Sequence, residues 1–230
     1  MEQLHGGYTL YICPGGFPLS TDSMALAGFV RLPKNARVLD LGSGCGTLGL
    51  LLCAEDAGCS VIGIELDAAA HEAACRNITE NGLQGRLHSI CADLRTFSGE
   101  AGSFHCCVSN PPYFSGGPES RTVPLARRDD LCSTEELFRA AGKALRYGGD
   151  FFLVHRPEKL AELCACGAKY NLEAKRLRLV RHKEGGPVTL VLLQFRKGGK
   201  PGLLWEEECL HHADGTPTAY YRKLYHQEEA

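Results

Sequence analysis

The chain has 230 residues, of which 44% are hydrophobic and 23% are charged, as in a globular protein and unlike a disordered chain. It has no run of about 18 apolar residues that would predict a membrane span, and no basic-then-apolar leader. We therefore expect a cytoplasmic protein. The net charge of -2 excludes an overall attraction to nucleic acid. Many of the 12 cysteines lie in apolar runs, which indicates buried thiols rather than disulfides or a metal site.

Short apolar runs and helical patterns alternate along the chain from residue 37 onward. The runs predict strands at 37–41, 60–65, 87–91, 104–109 and 151–155. Helices are expected at 48–54, at 68–81, from Ser133 to a stop at Gly148-Gly149, and from about Pro157. The segments 172–180 and 187–195 form an antiparallel pair around a glycine turn. This alternation predicts one doubly wound α/β domain with a mostly parallel sheet and helices on both faces.

A glycine-rich loop at residues 40–46 joins the first strand of this series to the following helix. Its glycines let the backbone approach a ligand at the carboxyl ends of the strands, where open α/β sheets bind ligands. Glu65 ends the next strand, where its carboxylate can accept hydrogen bonds from a ribose diol. Asp93 follows the third strand of the series and can accept an adenine amino group.

A rival interpretation is a dinucleotide site, because Gly44, Gly46 and Gly49 match the spacing of that fingerprint and Glu65 follows at a suitable distance. Asp40 argues against it, because a carboxylate in front of the glycines would repel a pyrophosphate. The same carboxylate suits a ligand with an ammonium group, such as the methionine part of S-adenosylmethionine.

The tetrapeptide Asn110-Pro111-Pro112-Tyr113 directly follows the strand at 104–109. The prolines stop strand pairing and stiffen the loop. An amide or aromatic amino group is a poor nucleophile, and the Asn110 side-chain oxygen with the Pro111 carbonyl could accept its two N–H bonds. Tyr113 could stack on a planar substrate. The motif predicts methyl transfer to such a nitrogen, with positioning supplying much of the rate.

These features resemble the class I (Rossmann-like) methyltransferases over about residues 36–155. The resemblance implies a seven-stranded, mostly parallel sheet with an antiparallel last strand, and S-adenosylmethionine as cofactor. It implies catalytic roles for the tetrapeptide. It also implies these cofactor-binding residues: Phe17, Asp22, Asp40, Gly42, Ser43, Gly44, Gly46, Glu65, Leu66, Asp93, Leu94 and Asn110.

The segments 17–23, 110–114, 126–129, 153–158 and 196–202 together resemble the bacterial tRNA adenine-N(6) methyltransferases that act on valine tRNA beside the anticodon. That resemblance implies an adenine of tRNA as substrate, with its base flipped against Tyr113. It implies RNA contacts by Tyr113, Phe114, Arg127 and Arg128, and a lid over the base between Tyr113 and Leu131. The layout expected is a covering segment at 1–35, the catalytic domain at 36–200 and an extension at 201–230, packed on that domain or partly mobile.

Several alternatives stay open at this stage. A protein-glutamine methyltransferase or an rRNA guanine methyltransferase would use the same tetrapeptide, although the former carries a long helical domain before the glycine loop. A non-catalytic RNA-binding module would not need Asn110. Basic residues at 169–183 and 196–200, and at Arg121, Arg127 and Arg128, indicate either solvated faces or phosphate contacts. We expect no metal, no membrane contact, and a monomer or weak homodimer.

Overall fold

The computed structural model describes residues 2–97, 99, 101–113 and 132–227. Within these ranges every helix is too short or too polar to cross a lipid bilayer. The elements in chain order are β1 (Glu2–Gln3), β2 (Thr9–Leu10), α1 (Thr21–Phe29), β3 (Arg37–Leu41), α2 (Thr47–Glu55), β4 (Ser60–Glu65), α3 (Ala68–Glu80), β5 (Leu87–Cys91), β6 (Phe104–Ser109), α4 (Thr134–Ala144), β7 (Leu145–His155), α5 (Leu160–Lys169), β8 (Leu172–Lys183), β9 (Val188–Lys197), β10 (Leu204–His211) and α6 (Ala219–Leu224).

The main sheet has eight strands in the order β10-β8-β9-β7-β6-β3-β4-β5. All of its pairings are parallel except those of β9, which runs antiparallel to β7 and β8. The class I Rossmann-like fold is confirmed, but the count is eight rather than seven. The additional strand, β10, follows the antiparallel pair and lies at the sheet edge beside β8.

Helices cover both faces of the sheet, as the apolar character of the strands requires. One core lies between the sheet and helices α1, α2, α3 and α6, with Leu26, Phe29 and Leu50 among its buried side chains. The other lies under α4 and α5 around Phe138 and Phe195. Strands buried on both faces are apolar nearly throughout, which is why their sequences form short continuous runs instead of alternating patterns.

The sequence-based boundaries hold for most of the predicted elements, and the clearest failure is the end of α4. Helix α4 begins after the capping box of Ser133 and Glu136 but ends at Ala144, so Gly148-Gly149 is not its stop. Both glycines lie inside β7, where the register against β6 shifts between Phe104 and Cys106 and Gly148 has a φ of 75°. A β-bulge and a helix stop both favour a residue with a positive φ, so the same glycine pair is compatible with either. The sequence analysis also omitted β10, α6 and α1. Helix α1 is buried along almost its whole length and shows no polar face.

Asn77 of α3 fastens the amino-terminal segment to the glycine loop. Its buried amide accepts a hydrogen bond from the Tyr11 N–H at 2.8 Å and donates to the carbonyls of Tyr11 and Cys45, each at 2.8 Å. Asn81, one turn later, makes the corresponding pair of bonds to Thr9 but does not contact the loop. The segment before β3 is therefore fixed against α3, next to the carboxyl edge of the sheet.

We predict that Asn77→Ala lowers the free energy of unfolding by about 2–3 kcal/mol, because three backbone groups lose their partner in a buried setting. Thermal denaturation should show a fall in Tm of roughly 4–12 °C. Asn81→Ala is the matched control, since it loosens the same segment without touching the Cys45 carbonyl. Only the Asn77 variant should also bind the cofactor more weakly. Equal cofactor affinities in the two variants would show that the loop does not depend on Asn77.

Candidate active site

The carboxyl ends of β3, β4 and β6 meet at the centre of one sheet edge. Asp40 of β3 is paired with Gly63 on one side and Val108 on the other. At the end of β6 the Ser109 hydroxyl donates to the Leu41 carbonyl at 2.8 Å, and both residues are buried. The glycine loop, Glu65 and Asn110 therefore leave the sheet side by side. The structure brings together the residues that the sequence placed at three strand ends.

The glycine loop is held in one conformation by backbone bonds and by Glu65. Gly42, Gly44 and Gly46 have φ values of 74°, 54° and 83°, in the left-handed region that other residues rarely adopt. The N–H groups of Gly42 and Ser43 both donate to the Ile64 carbonyl at 3.0 Å. The Gly44 N–H donates to Glu65 Oε2 at 2.7 Å. The backbone is thus open toward the crevice and tied to the end of β4.

Asp40 and Ser43 are buried polar residues whose side-chain oxygens lack a hydrogen-bond partner among the described residues. Burial, with a smaller contribution from the charge of Glu65, raises the pKa of Asp40 to about 8. Unpaired buried polar atoms are costly and point to a ligand that completes their bonding. A cationic ammonium group would satisfy the Asp40 carboxylate, so these residues fit the methionine end of S-adenosylmethionine.

The expected nucleoside end of the site lies beyond β4. Glu65 Oε1 accepts the Asp67 N–H at 2.9 Å, and a carboxylate still has lone pairs for a ribose hydroxyl beyond its two backbone bonds. Leu66 next to it is a large apolar side chain with 45% of its surface exposed. Such a side chain offers an apolar wall that a bound base would cover.

Asp93 is committed to an ion pair that the sequence analysis did not anticipate. Both carboxylate oxygens accept from the Arg95 guanidinium, with the shortest contact at 2.7 Å. This hydrogen-bonded partner lowers the pKa of Asp93. The carboxylate keeps acceptor capacity for an amino group, so its expected contact with adenine stays a prediction, as does that of the half-buried Leu94.

The amide of Asn110 is oriented by α1. Its Nδ2 donates to the Ser23 hydroxyl at 3.0 Å, and that hydroxyl lies 3.3 Å from the N-cap residue Ser20. Because the Ser23 oxygen accepts from Nδ2, the Asn110 Oδ1 is left for a donor in the crevice. Ser23 is a positioning residue that sequence reasoning missed, because its partner lies 87 positions away.

Tyr113 lies against the same amide. Its hydroxyl donates to Asn110 Oδ1 at 3.3 Å, and its ring lies 5.1 Å from the His155 ring and 4.9 Å from the Arg156 guanidinium. Burial, followed by the charge and hydrogen bond of Asp22, raises the pKa of Tyr113. The Tyr113 hydroxyl thus uses the acceptor assigned to the substrate amino group, while Arg156 lies over the ring that was expected to stack on the base.

The remaining predicted contacts involve residues before α1 and in its first turn, and residues after Tyr113. Asp22 lies in the first turn of α1, beside Tyr113, and Phe17 before it is 76% exposed. Their cofactor contacts stay predictions. Phe114, Arg127 and Arg128, with the expected lid at 114–131, lie outside the described residues.

Many of the basic side chains at 169–200 form ion pairs with acidic residues of the same chain. Strand β10 lies beside β8, and its acidic residues face the arginines of that strand. The pairs are Lys169 with Glu135, Arg176 and Arg178 with Glu206, Arg181 with Glu207, and Arg196 with Asp150. In addition, Lys175 and Lys197 donate to backbone carbonyls. These residues do not form one free cationic face.

Among the described residues, one group has ligand atoms close enough to suggest a metal site: His5, Glu55 and His226. The two imidazole rings are stacked with centroids 3.5 Å apart and an angle of 7° between their planes. Nitrogen lone pairs lie in the ring planes, so two parallel planes at this separation cannot both contain an ion about 2.1 Å from each nitrogen. This arrangement does not coordinate a metal.

We predict that cofactor affinity falls when the pH is lowered from about 7.5 to about 5.5. The carboxyl group of Asp40, with its pKa near 8, is increasingly protonated over this range, and only its anion pairs with an ammonium group. Calorimetry with S-adenosylhomocysteine should show an affinity about 10- to 100-fold weaker at the lower pH, with proton release on binding. Asp40→Asn should bind more weakly at the higher pH and lose the pH dependence. A variant that kept the dependence would assign it to another group.

Comparison with known proteins agrees with this geometry. A family model described as the methyltransferase small domain matches residues 21–164. A tRNA1(Val) (adenine(37)-N6)-methyltransferase of Bacteroides fragilis is 32% identical over 182 residues, which cover 77% of this chain and 76% of the relative. The enzyme of the same name from Photobacterium profundum is 28% identical, with coverage of 91% and 90%.

Solved structures give the same fold. A predicted O-methyltransferase from Agrobacterium tumefaciens superposes with a TM-score of 0.75 at 22% identity, covering 91% of this chain and 98% of that one. A T. thermophilus 16S rRNA guanine-N2 methyltransferase in complex with AdoMet and guanosine gives 0.60 at 26% identity, with coverage of 83% and 47%. The chain therefore belongs to the methyltransferase small domain family, and it is an S-adenosylmethionine-dependent methyltransferase with the class I Rossmann-like fold.

Proposed function

We propose that this protein transfers a methyl group to the exocyclic amino group of an adenine in tRNA, near the anticodon. The observation that carries the proposal is the placement of Asn110 at the sheet edge beside Asp40, with its amide oriented by Ser23. The names of the relatives from B. fragilis and P. profundum support tRNA adenine as the substrate.

The chemistry follows from what the residues of the tetrapeptide can do. Bound S-adenosylmethionine supplies an activated methyl group on a sulfonium, so no strong base is needed. The Asn110 oxygen and the Pro111 carbonyl accept the two N–H bonds of the substrate amino group and direct its lone pair toward that methyl. The proton leaves after the N–C bond has formed. The proline-stiffened loop contributes by holding these acceptors in place.

Tyr113 supplies the surface for the base. To do so its ring gives up the contact with Asn110 and stacks on the adenine, which has left its own stack. Asp40 and Ser43 hold the amino-acid end of the cofactor, Glu65 the ribose, and Leu66, Asp93 and Leu94 the adenine. Gly42, Gly44, Gly46, Phe17 and Asp22 complete the pocket.

We also propose that the enzyme works in the cytoplasm as a monomer or weak homodimer. All 12 cysteines are free, including Cys13 and Cys45, whose sulfurs lie 3.7 Å apart in the buried region behind the glycine loop. Thiols this close stay reduced in a reducing compartment.

The decisive experiment combines labelled cofactor with unmodified tRNA, with rRNA and with a release factor, followed by nucleoside and peptide mass spectrometry. We expect N6-methyladenosine in tRNA. Asn110→Ala should lower kcat by about 100-fold or more, as loss of one transition-state hydrogen bond does, and leave the Kd for S-adenosylhomocysteine nearly unchanged. Label on guanine or on a glutamine would assign a different substrate to the enzyme. Loss of cofactor binding in Asn110→Ala would show that Asn110 has a structural role instead. No transfer to any of the three would favour a binding module.

A second prediction separates the ring of Tyr113 from its hydroxyl. Tyr113→Ala should lower kcat/KM for the RNA roughly 5- to 150-fold, because stacking on a base is worth about 1–3 kcal/mol. Tyr113→Phe keeps the ring and removes only the hydroxyl, with its bonds to Asn110 and Asp22, so its kcat/KM should stay close to that of the parent. If the two variants were equally impaired, the hydroxyl and not the ring would carry the function.

A further inference from the structure

The edge of the sheet opposite the active site carries a concave pocket of about 490 Å³. It is bounded by the segment after α1 and by the ends of β6, β7, β8 and β9 on that side. Four arginines and one histidine line it: Arg31, Arg146, Arg176, Arg196 and His105. Asp150 is the one acidic side chain in this lining.

The positive charge in the pocket is only partly neutralised. The Asp150 carboxylate accepts two hydrogen bonds from the Arg196 guanidinium, of 2.8 and 2.9 Å. Arg176 reaches outside the pocket lining to Glu206 at 3.3 Å. Arg31 and Arg146 are exposed, and neither forms an ion pair with any residue that the structure describes. Two guanidinium groups at the rim of one cavity therefore have no counter-charge from the part of the chain that the structure describes.

The like charges act on each other. Burial, and then the charge of Arg31 among others, lowers the pKa of Arg176. Burial followed by the charge of Arg146 lowers the pKa of His105. His105 Nδ1 accepts the Arg37 N–H at 3.1 Å, so the neutral ring carries its proton on Nε2 as a further donor. Repulsion of this kind is relieved when an anion binds between the charges.

The pocket lies within reach of a nucleic acid that occupies the active site. Helix α1 connects the two places, because Ser23 near its start contacts Asn110 and Arg31 follows its end. The six residue steps from Ser23 to the end of α1 at Phe29 span roughly 9 Å. Along β7, the five residue steps from Asp150 to His155 span roughly 17 Å. With one phosphate per about 3.4 Å of strand, this distance corresponds to about five nucleotides.

We propose that this arginine pocket binds phosphate groups and that, given the proposed function on which this step rests, they belong to the backbone of the RNA substrate. Planar guanidinium groups bind phosphate oxygens in pairs, and a cavity with several of them suits an anion that offers several oxygens, as a phosphate does. A free phosphate or nucleotide offers the same chemistry and is the second source to be distinguished. The pocket contacts the backbone and not a base, so it contributes affinity and register without sequence preference.

The test uses the full-length double variant Arg31→Ala/Arg146→Ala with Arg222→Ala as a control on α6, where an exposed arginine lies away from the pocket. Thermal denaturation verifies folding. Binding and methylation are measured with a tRNA transcript over a range of salt concentrations, and with a trinucleotide containing the target adenine, which is too short to span about five nucleotides. Inorganic phosphate and ATP are titrated calorimetrically into the wild type and the variants.

If the backbone of the RNA is bound, the double variant raises KM for tRNA about 10- to 50-fold and reduces the slope of log K against log salt by about 2. The value of kcat at saturating tRNA, the trinucleotide kinetics and the kinetics of the Arg222→Ala control stay unchanged. Phosphate or ATP binding that the double variant loses, with tRNA binding intact, supports the phosphate site and assigns it to a free ligand. If neither tRNA nor phosphate binding changes, the proposal is wrong. A wild type that does not methylate tRNA refutes the proposed function, and the phosphate titration still decides the pocket.

Discussion

The parallel pairing of β3 with both β4 and β6 is the constraint on which the active site depends. Because these strands run in one direction, their carboxyl ends deliver Asp40, Glu65 and Asn110 to the same edge. The bond from Ser109 to the Leu41 carbonyl fixes the offset between β6 and β3. A slip of one residue would turn Asp40 to the other face of the sheet, since side chains alternate along a strand. The register of β3 with β4 and β6 therefore decides whether Asp40 and Glu65 lie next to Asn110.

This arrangement requires the fold to keep a carboxyl group buried without a partner. Such a group is tolerated because it takes up a proton, which is what the raised pKa of Asp40 expresses. The apolar cores on both faces of the sheet provide the stability that offsets it. Gly63 also belongs to this design, because a Cβ there would lie 2.6 Å from the Ser43 hydroxyl. The close approach of β4 to the glycine loop thus depends on the absence of a side chain at Gly63.

The sequence predicted the features that depend on neighbouring residues. The central strands, the glycine loop and the tetrapeptide after β6 follow from short apolar runs and from glycine and proline chemistry. It did not predict the contacts of Ser23 and Asn77, whose partners are 87 and 32–66 positions away. For the same reason the sequence did not decide whether the basic residues of β8 contact phosphate, because the acidic residues that pair with them lie on β10. Helix α1 escaped detection because burial on nearly all sides removes the periodic pattern.

The contact between Tyr113 and Asn110 shows how the acceptor loop is held before substrate arrives. At 3.3 Å the hydroxyl makes a long hydrogen bond, and a typical bond between neutral groups contributes only about 1 kcal/mol. Stacking on a base is worth about 1–3 kcal/mol, and the substrate amino group replaces the lost donor at Asn110. Under the proposed function, stacking and the new bond at Asn110 offset the loss of this hydroxyl bond, of the Asp22 contact and of the ring contacts with His155 and Arg156. The acceptor oxygen stays bonded in both states, and the amide keeps the orientation set by Ser23 throughout.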